Sequence, residues 1–279
     1  MTGHDSPGSG LDPAVAFAIA VGLAAVVYLG AVVREHRRGT RTWPSHRTVL
    51  FVAGVGVIIG TLVGPLARLS HTDFAAHMWS HLLVGMLAPL LLVLSAPVTL
   101  ALRSLHVVPA RRLSRLLASP VPRFLSHPIP AAGLSVGSLW VLYATPLSAL
   151  MIGNEYLHYL LLAHFFAAGY LFTASMVGVD PAPHRPGFRL RLGVLVIAVA
   201  AHSTLAKHVA MHPPQGIPAA SAEAGAQVMY YVGDLLEFAL IVVFFAQWYV
   251  AARPRPDARR HPESPVSEAA APPAPRNRG

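Results

Sequence analysis

The chain contains no cysteine, which excludes disulfides, thiolate metal sites, thiol redox chemistry and covalent c-type haem attachment. Any metal it handles must be held by His, Met, carboxylate or backbone groups. Charge is scarce too. Asp, Glu, Lys and Arg make up 12% of 279 residues, about half the roughly 25% of soluble domains, and 54% of the chain is hydrophobic. An ordinary soluble protein is thereby excluded. No internal repeat is visible, which argues against a two-half transporter, and no H-E-x-x-H or comparable catalytic string occurs.

What the chain does have is long apolar runs. A span needs about 20 mostly apolar residues, and seven stretches meet that test: 13–33, 48–66, 74–102, 128–150, 157–178, 190–212 and 227–249. The expected fold is an all-α, polytopic seven-helix membrane bundle. Residues 1–12 read as a disordered outer N-terminus, 13–250 as the membrane domain and 251–279, rich in Pro, Ala and charge, as a disordered cytoplasmic tail. The flank MTGHDSPGSGLDP carries no Lys or Arg, while Arg34, Arg37 and Arg38 follow the first run; this predicts a retained helix and not a cleaved signal peptide. Segments 34–47, 103–126, 185–191 and 253–278 hold nineteen of the twenty-one basic residues. Short cytoplasmic loops collect such residues, so the N-terminus is expected outside and the C-terminus inside. The net charge of +9 therefore reflects topology and lipid headgroups. Nucleic acid is not a partner, because the arginines are dispersed and not interleaved with aromatics.

Eight of the fifteen histidines lie in or near the outer halves of these runs. Ionisable groups within a span cost about 2.5 to 3.5 kcal/mol each, so their retention calls for a use. At 1.5 Å per residue, His77 falls about 5 Å deep, His81, His164 and Asp234 about 10 Å, Lys207 and His208 about 6 to 8 Å, and His202 and Glu237 about 15 Å. Four helices thus contribute to one outer slab. Asp73, His77 and His81 follow the i, i+4, i+8 spacing of one helical face, flanked by Met78. His158 sits at the mouth of the fifth span with His164 below it. Thr204, His208, Met211 and His212 share a stripe from which His202 points away. Tyr230, Asp234, Glu237 and Ile241 share a face on the last helix, where two carboxylates need a cation, a proton or a base. Lys207 lies at the depth of Asp234, so a structural ion pair is one reading; a metal or proton relay to the histidines is the other. Imidazole suits copper and zinc, and thioether sulfur selects cuprous ion. Met151, Met211 and Met229 are read as packing. Pro89 and Pro97 either kink the third span to open space or only pack.

The strings HTDFAAHMWSHLLVGMLAPLLLVLSAPVTLALR, HYLLLAHFFAAGYLFTASMVGVDPAPHR, RLGVLVIAVAAHS and YYVGDLLEFALIVVFFAQWY together resemble the CtaG family, membrane assembly factors of caa-type cytochrome c oxidase, over roughly residues 43–250. The family pattern falls on His77, Met78, His81, Pro89, Pro97, His158, His164, Gly169, Gly178, Asp180, Pro181, His202, Gly233, Asp234 and Trp248. An unrelated single-span copper chaperone shares the family's name and is not what this chain resembles. The resemblance implies a non-enzymatic factor of the plasma membrane that associates with cytochrome c oxidase subunits and binds or delivers copper. The candidate metal ligands are His77, His81, His164 and His202, supported by Asp234, Met78, His158, Glu237, Lys207 and His208. Lys207 and His208 depart from the family pattern, which usually has small or apolar residues there. The alternatives are zinc in place of copper, a b-type haem protein with histidines as axial ligands, and an intramembrane transporter or hydrolase using Asp234 and Glu237.

Overall fold

The computed structural model describes residues 13–39, 42–70, 72–152, 154–181 and 185–253. The disorder expected for 1–12 and for most of the tail, and the positions of His71 and His184, lie outside those residues. Every regular element among the described residues is helical. Six helices are long and apolar enough to cross a membrane: α1 Pro13–Arg38, α2 Ser45–Val63, α3 Phe74–Leu94, then α9 Glu155–Met176, α10 Phe188–Met211 and α11 Ala219–Ala252. Between α3 and α9 lie α4 Pro97–Ser104, α5 Val107–Leu117, α6 Pro120–Leu125, α7 Pro128–Ala144 and α8 Leu147–Ile152.

Two expectations about spans are corrected. The run 128–150 is not one long helix: α7 ends at Ala144, and a turn through Pro146 starts α8. Seventeen residues rise about 25 Å, against roughly 30 Å of hydrocarbon. The run 74–102 is also divided. Ala96 adopts φ +53°, a left-handed conformation costly for a residue with a Cβ, and Pro97 opens a new helix there instead of kinking an old one. The Asp180 carboxylate holds this break in place. Its Oδ1 accepts from Thr99 N (2.7 Å) and Thr99 Oγ1 (2.6 Å), and its Oδ2 from Val98 N (3.3 Å). A carboxylate from more than eighty residues away thus satisfies the donors exposed at a helix start. The last helix reaches Ala252, two residues into the stretch expected to be disordered.

The helix carrying the central histidines is the innermost. About 61% of the apolar window of α3 is buried, against 6% for α1 and 17% for α11, and α3 packs on α2, α9 and α11. Val26 and Val27 of α1 turn outward at 68% and 72% exposure, as expected of side chains whose solvent is lipid. A π-helical turn, Leu83–Leu87, interrupts α3. Pro89 has no N–H for the Gly85 carbonyl, and a wider turn is one way to absorb that loss. The exposed carbonyl is covered by Gly169 of α9, where a Cβ would run into the Gly85 oxygen and meet Pro89 Cγ at 3.3 Å.

The arginine-rich end has its own polar network. Arg103 pairs with buried Glu35 at 2.9 Å. Arg38 donates to the carbonyls of Arg103 and Ser104 at the end of α4. Trp43 Nε1 donates to Tyr28 OH, which donates to the Ser95 carbonyl. These bonds tie α1 to α4 and to the break at Ser95–Ala96.

Candidate functional site

The histidines converge, but not in the set expected. Asp73 lies just outside α3 as its cap, accepting from Ala75 N at 2.9 Å; this starts the helix so that His77 and His81 stack one turn apart on its buried side. Asn154 caps α9 in the same way, accepting from Leu157 N at 3.0 Å, and so brings His158 to face them. The ring centres of His77 and His81 are 4.4 Å apart, those of His77 and His158 5.4 Å, and those of His81 and His158 6.3 Å. His81 is 7% exposed, and neither of its ring nitrogens has a hydrogen-bond partner among the described residues. Leaving a buried polar group unpaired costs about 1 to 3 kcal/mol. That cost makes His81 the most telling residue of the group.

His164 does not join them. Its Nε2 lies 3.2 Å from the Leu134 carbonyl in the π-helical turn Gly133–Gly137 of α7, so it ties α9 to α7. Six residues separate it from His158, which puts the two side chains on different faces of α9. His202 is also apart from the trio. It is 2% exposed and points toward α11, with Nδ1 3.2 Å from Glu237 Oε1, an ion-pair distance without the alignment of a hydrogen bond. Gly233 makes the space, since a Cβ there would meet His202 Cε1 at 2.5 Å.

The ion pair considered for Lys207 and Asp234 is absent among the described residues. Asp234 Oδ1 instead accepts from Ser203 Oγ at 3.0 Å, and Lys207 Nζ lies over the Tyr230 ring, 5.4 Å from its centre. With the hydroxyl at hand, Asp234 does not need the ammonium, and Lys207 shares its charge with an aromatic face. His208 stacks on His212, 4.5 Å away, with the tilted Trp140 ring 5.6 Å from it on α7.

A cavity enclosing about 880 Å³, mouth included, runs below the trio between α3, α7, α9, α10 and α11, and His81, His202 and Glu237 all line it. So do three thioethers, Met78, Met86 and Met229. Of these, Met229 was expected only to pack, and Met86 drew no notice in the sequence. Met86 follows His81 by five residues, a spacing that an ordinary helix turns apart. The i→i+5 turn at Leu83–Leu87 brings such residues closer to one face. The signal available was Pro89, four residues after Gly85. Met78 also accepts a contact from Tyr143 OH at 3.7 Å. Met151 is buried packing, and Met211 is 70% exposed.

Among the described residues, no three His, Asp or Glu side chains are gathered as a metal centre made of those groups alone would need. A ligand set on these walls would have to mix imidazole with thioether. That combination suits a soft monovalent cation better than zinc or calcium.

The sequence comparisons bear on this arrangement. An uncharacterized protein of Mycobacterium leprae (strain TN) is 32% identical over 253 residues, covering 82% of this chain and 38% of that protein. Uncharacterized proteins of Mycobacterium bovis and Mycobacterium tuberculosis are each 35% identical over 194 residues, covering 66% of this chain and 29% of theirs. The chain therefore spans well under half the length of these curated relatives. No solved structure matches it. A family model described as cytochrome c oxidase caa3 assembly factor (Caa3_CtaG) matches residues 26–251, a range holding the His77, His81 and His158 trio, the cavity beneath it and the Asp180 cap. The chain belongs to the Caa3_CtaG family of cytochrome c oxidase caa3 assembly factors.

Proposed function

We propose that this protein assists assembly of cytochrome c oxidase in the plasma membrane by taking up copper as cargo at the histidine-rich end of the bundle. His81, at the histidine-rich end, receives the ion, and the cavity it lines together with Met78, Met86 and Met229 holds it as cuprous ion. The observation that carries this reading is His81, a buried imidazole with both nitrogens unpartnered that belongs to the trio and to the cavity wall at once. Imidazole and thioether together favour cuprous ion. Glu237, beside His202 on the same wall, supplies the negative charge that a cation needs in a medium of low dielectric. Family membership supports the oxidase as partner and a role in maturation instead of turnover.

The orientation belongs to the same proposal: the histidine end faces out, the arginine-rich loops face the cytoplasm, and α7 completes a seventh crossing. The decisive experiment offers cuprous and zinc ions separately to the purified full chain and counts bound metal by elemental analysis. Copper near one equivalent is expected for the wild type, with a loss of at least about tenfold in affinity in His81→Ala, since a missing ligand costs more than 1.4 kcal/mol. Equal copper retention in wild type, His81→Ala and a Met78→Leu, Met86→Leu double variant would sink the proposal. In cells, its failure should lower oxidase activity while the oxidase polypeptides persist.

A further inference from the structure

A second cavity, enclosing about 1040 Å³ with its mouth, lies at the opposite end of the bundle, between the segment Leu117–His127 and the ends of α3, α4 and α9. Its lining is mixed: Arg123, Arg185, His127 and Ser126 bring polar and basic groups, and Leu117, Leu171, Ala174 and Val177 apolar ones. The carboxylate on its wall is Asp180, and both of its oxygens are committed to the start of α4. Neither arginine forms an ion pair among the described residues. The Arg185 guanidinium donates only to the backbone carbonyl of Asp180, at 3.3 Å. Partial desolvation, and then the like charge of Arg191, hold the Arg185 guanidinium below its ordinary pKa, against the smaller opposing effect of Asp180. An anion beside it would relieve both effects.

The elements bordering this cavity have the character of an interfacial segment. Arg111, Arg112 and Arg115 of α5 share one face of the helix and Leu113, Leu116 and Leu117 the other, with Leu116 61% exposed; Val121 and Phe124 of α6 are each 64% exposed. A basic amphipathic segment of this kind lies at the boundary between headgroups and acyl chains, so the cavity opens at headgroup depth. Basic pockets between spanning helices at that depth accept anionic headgroups, and the fork of a guanidinium matches a phosphate.

We propose that this cavity is a binding site for an anionic phospholipid, with the phosphate held by Arg123 and Arg185 and an acyl chain laid along Leu171, Ala174 and Val177. The site is independent of the copper reading and lies at the other end of the molecule.

The test uses the delipidated full chain in detergent, offered phosphatidylglycerol, phosphatidylcholine with the same acyl chains, or inorganic phosphate, with native mass spectrometry and thermal shift as readouts. Phosphatidylglycerol should bind about tenfold more tightly than phosphatidylcholine, as expected from two arginines on the cavity wall, and inorganic phosphate at the same concentration should give no shift. An R123Q/R185Q variant should lose the preference while an R111Q/R112Q variant, altered outside the cavity, keeps it. Ala174→Phe retains both arginines but fills the apolar wall, and should weaken phosphatidylglycerol binding without abolishing the fold. Equal affinity for the two lipids, or a preference that survives R123Q/R185Q, overturns the assignment. Equal loss in R111Q/R112Q would mean diffuse surface charge, and phosphate binding as tight as the lipid's would mean a free-anion site; either result also overturns it.

Discussion

At the scale of single residues, what matters is which atoms have partners and which have room. Gly169 lies against the carbonyl that Pro89 leaves exposed, and overpacking of this kind costs about 1 to 3 kcal/mol. Gly169→Ala should lower the apparent unfolding temperature of the detergent-purified protein. Gly137→Ala, where a Cβ meets nothing within 4 Å, should raise it slightly, because helical Ala is favoured over Gly by about 0.5 to 1 kcal/mol. Similar effects from the two variants would show that the approach of Gly169 to Gly85 is not tight. Glu237→Ala removes the carboxylate that lies 3.2 Å from His202 and should destabilise by about 1 to 3 kcal/mol, with Glu237→Gln milder; thermal melts of both compared with wild type check this. Sequence reasoning reached His77, His81 and His202 by depth and spacing, and Gly233 only through the family resemblance. It misplaced His164 and Lys207, because a helix face read from one chain does not say which neighbouring helix it meets. It left Met86 unnoticed because residues five apart, such as His81 and Met86, fall on different faces of an ordinary helix, whereas the turn at Leu83–Leu87 is π-helical.

At the scale of elements, the break between α3 and α4 depends on a distant residue. Asp180 accepts three hydrogen bonds from the first turn of α4, and loss of a helix cap costs about 0.5 to 2 kcal/mol. Asp180→Ala should exceed Thr99→Val in destabilisation, since the first removes all three bonds and the second only one. Limited proteolysis near Ser95–Pro97 provides the measurement; an unchanged cleavage rate in Asp180→Ala would mean that Pro97 alone terminates α3. The sequence marked both Pro97 and Asp180. It could not pair them, because nothing local connects residues eighty apart.

At the scale of the whole molecule, topology can be tested directly, since a chain without cysteine accepts single reporter cysteines without background. Ser70→Cys and Thr145→Cys should react with a membrane-impermeant maleimide on intact cells, and Ser126→Cys only after permeabilisation. Protection of Thr145→Cys on intact cells would mean that α7 does not cross, leaving six spans. Length and composition make six of the helices long and apolar enough to cross, but not the 17-residue α7, which packs against α9 and α10.

The sequence by itself determined the all-helical membrane class, the separation of basic loops from histidine-bearing ends and the family, because these depend on composition, hydrophobic run length and local strings. Only the tertiary structure decided which polar groups share a site. It brought His158 to His77 and His81, paired Glu237 with His202, gave Asp234 to Ser203, turned His164 toward α7, and lined one cavity with three methionines. The physical reason is that burial and hydrogen-bond partnership are properties of pairs of helices, while periodicity describes one helix at a time.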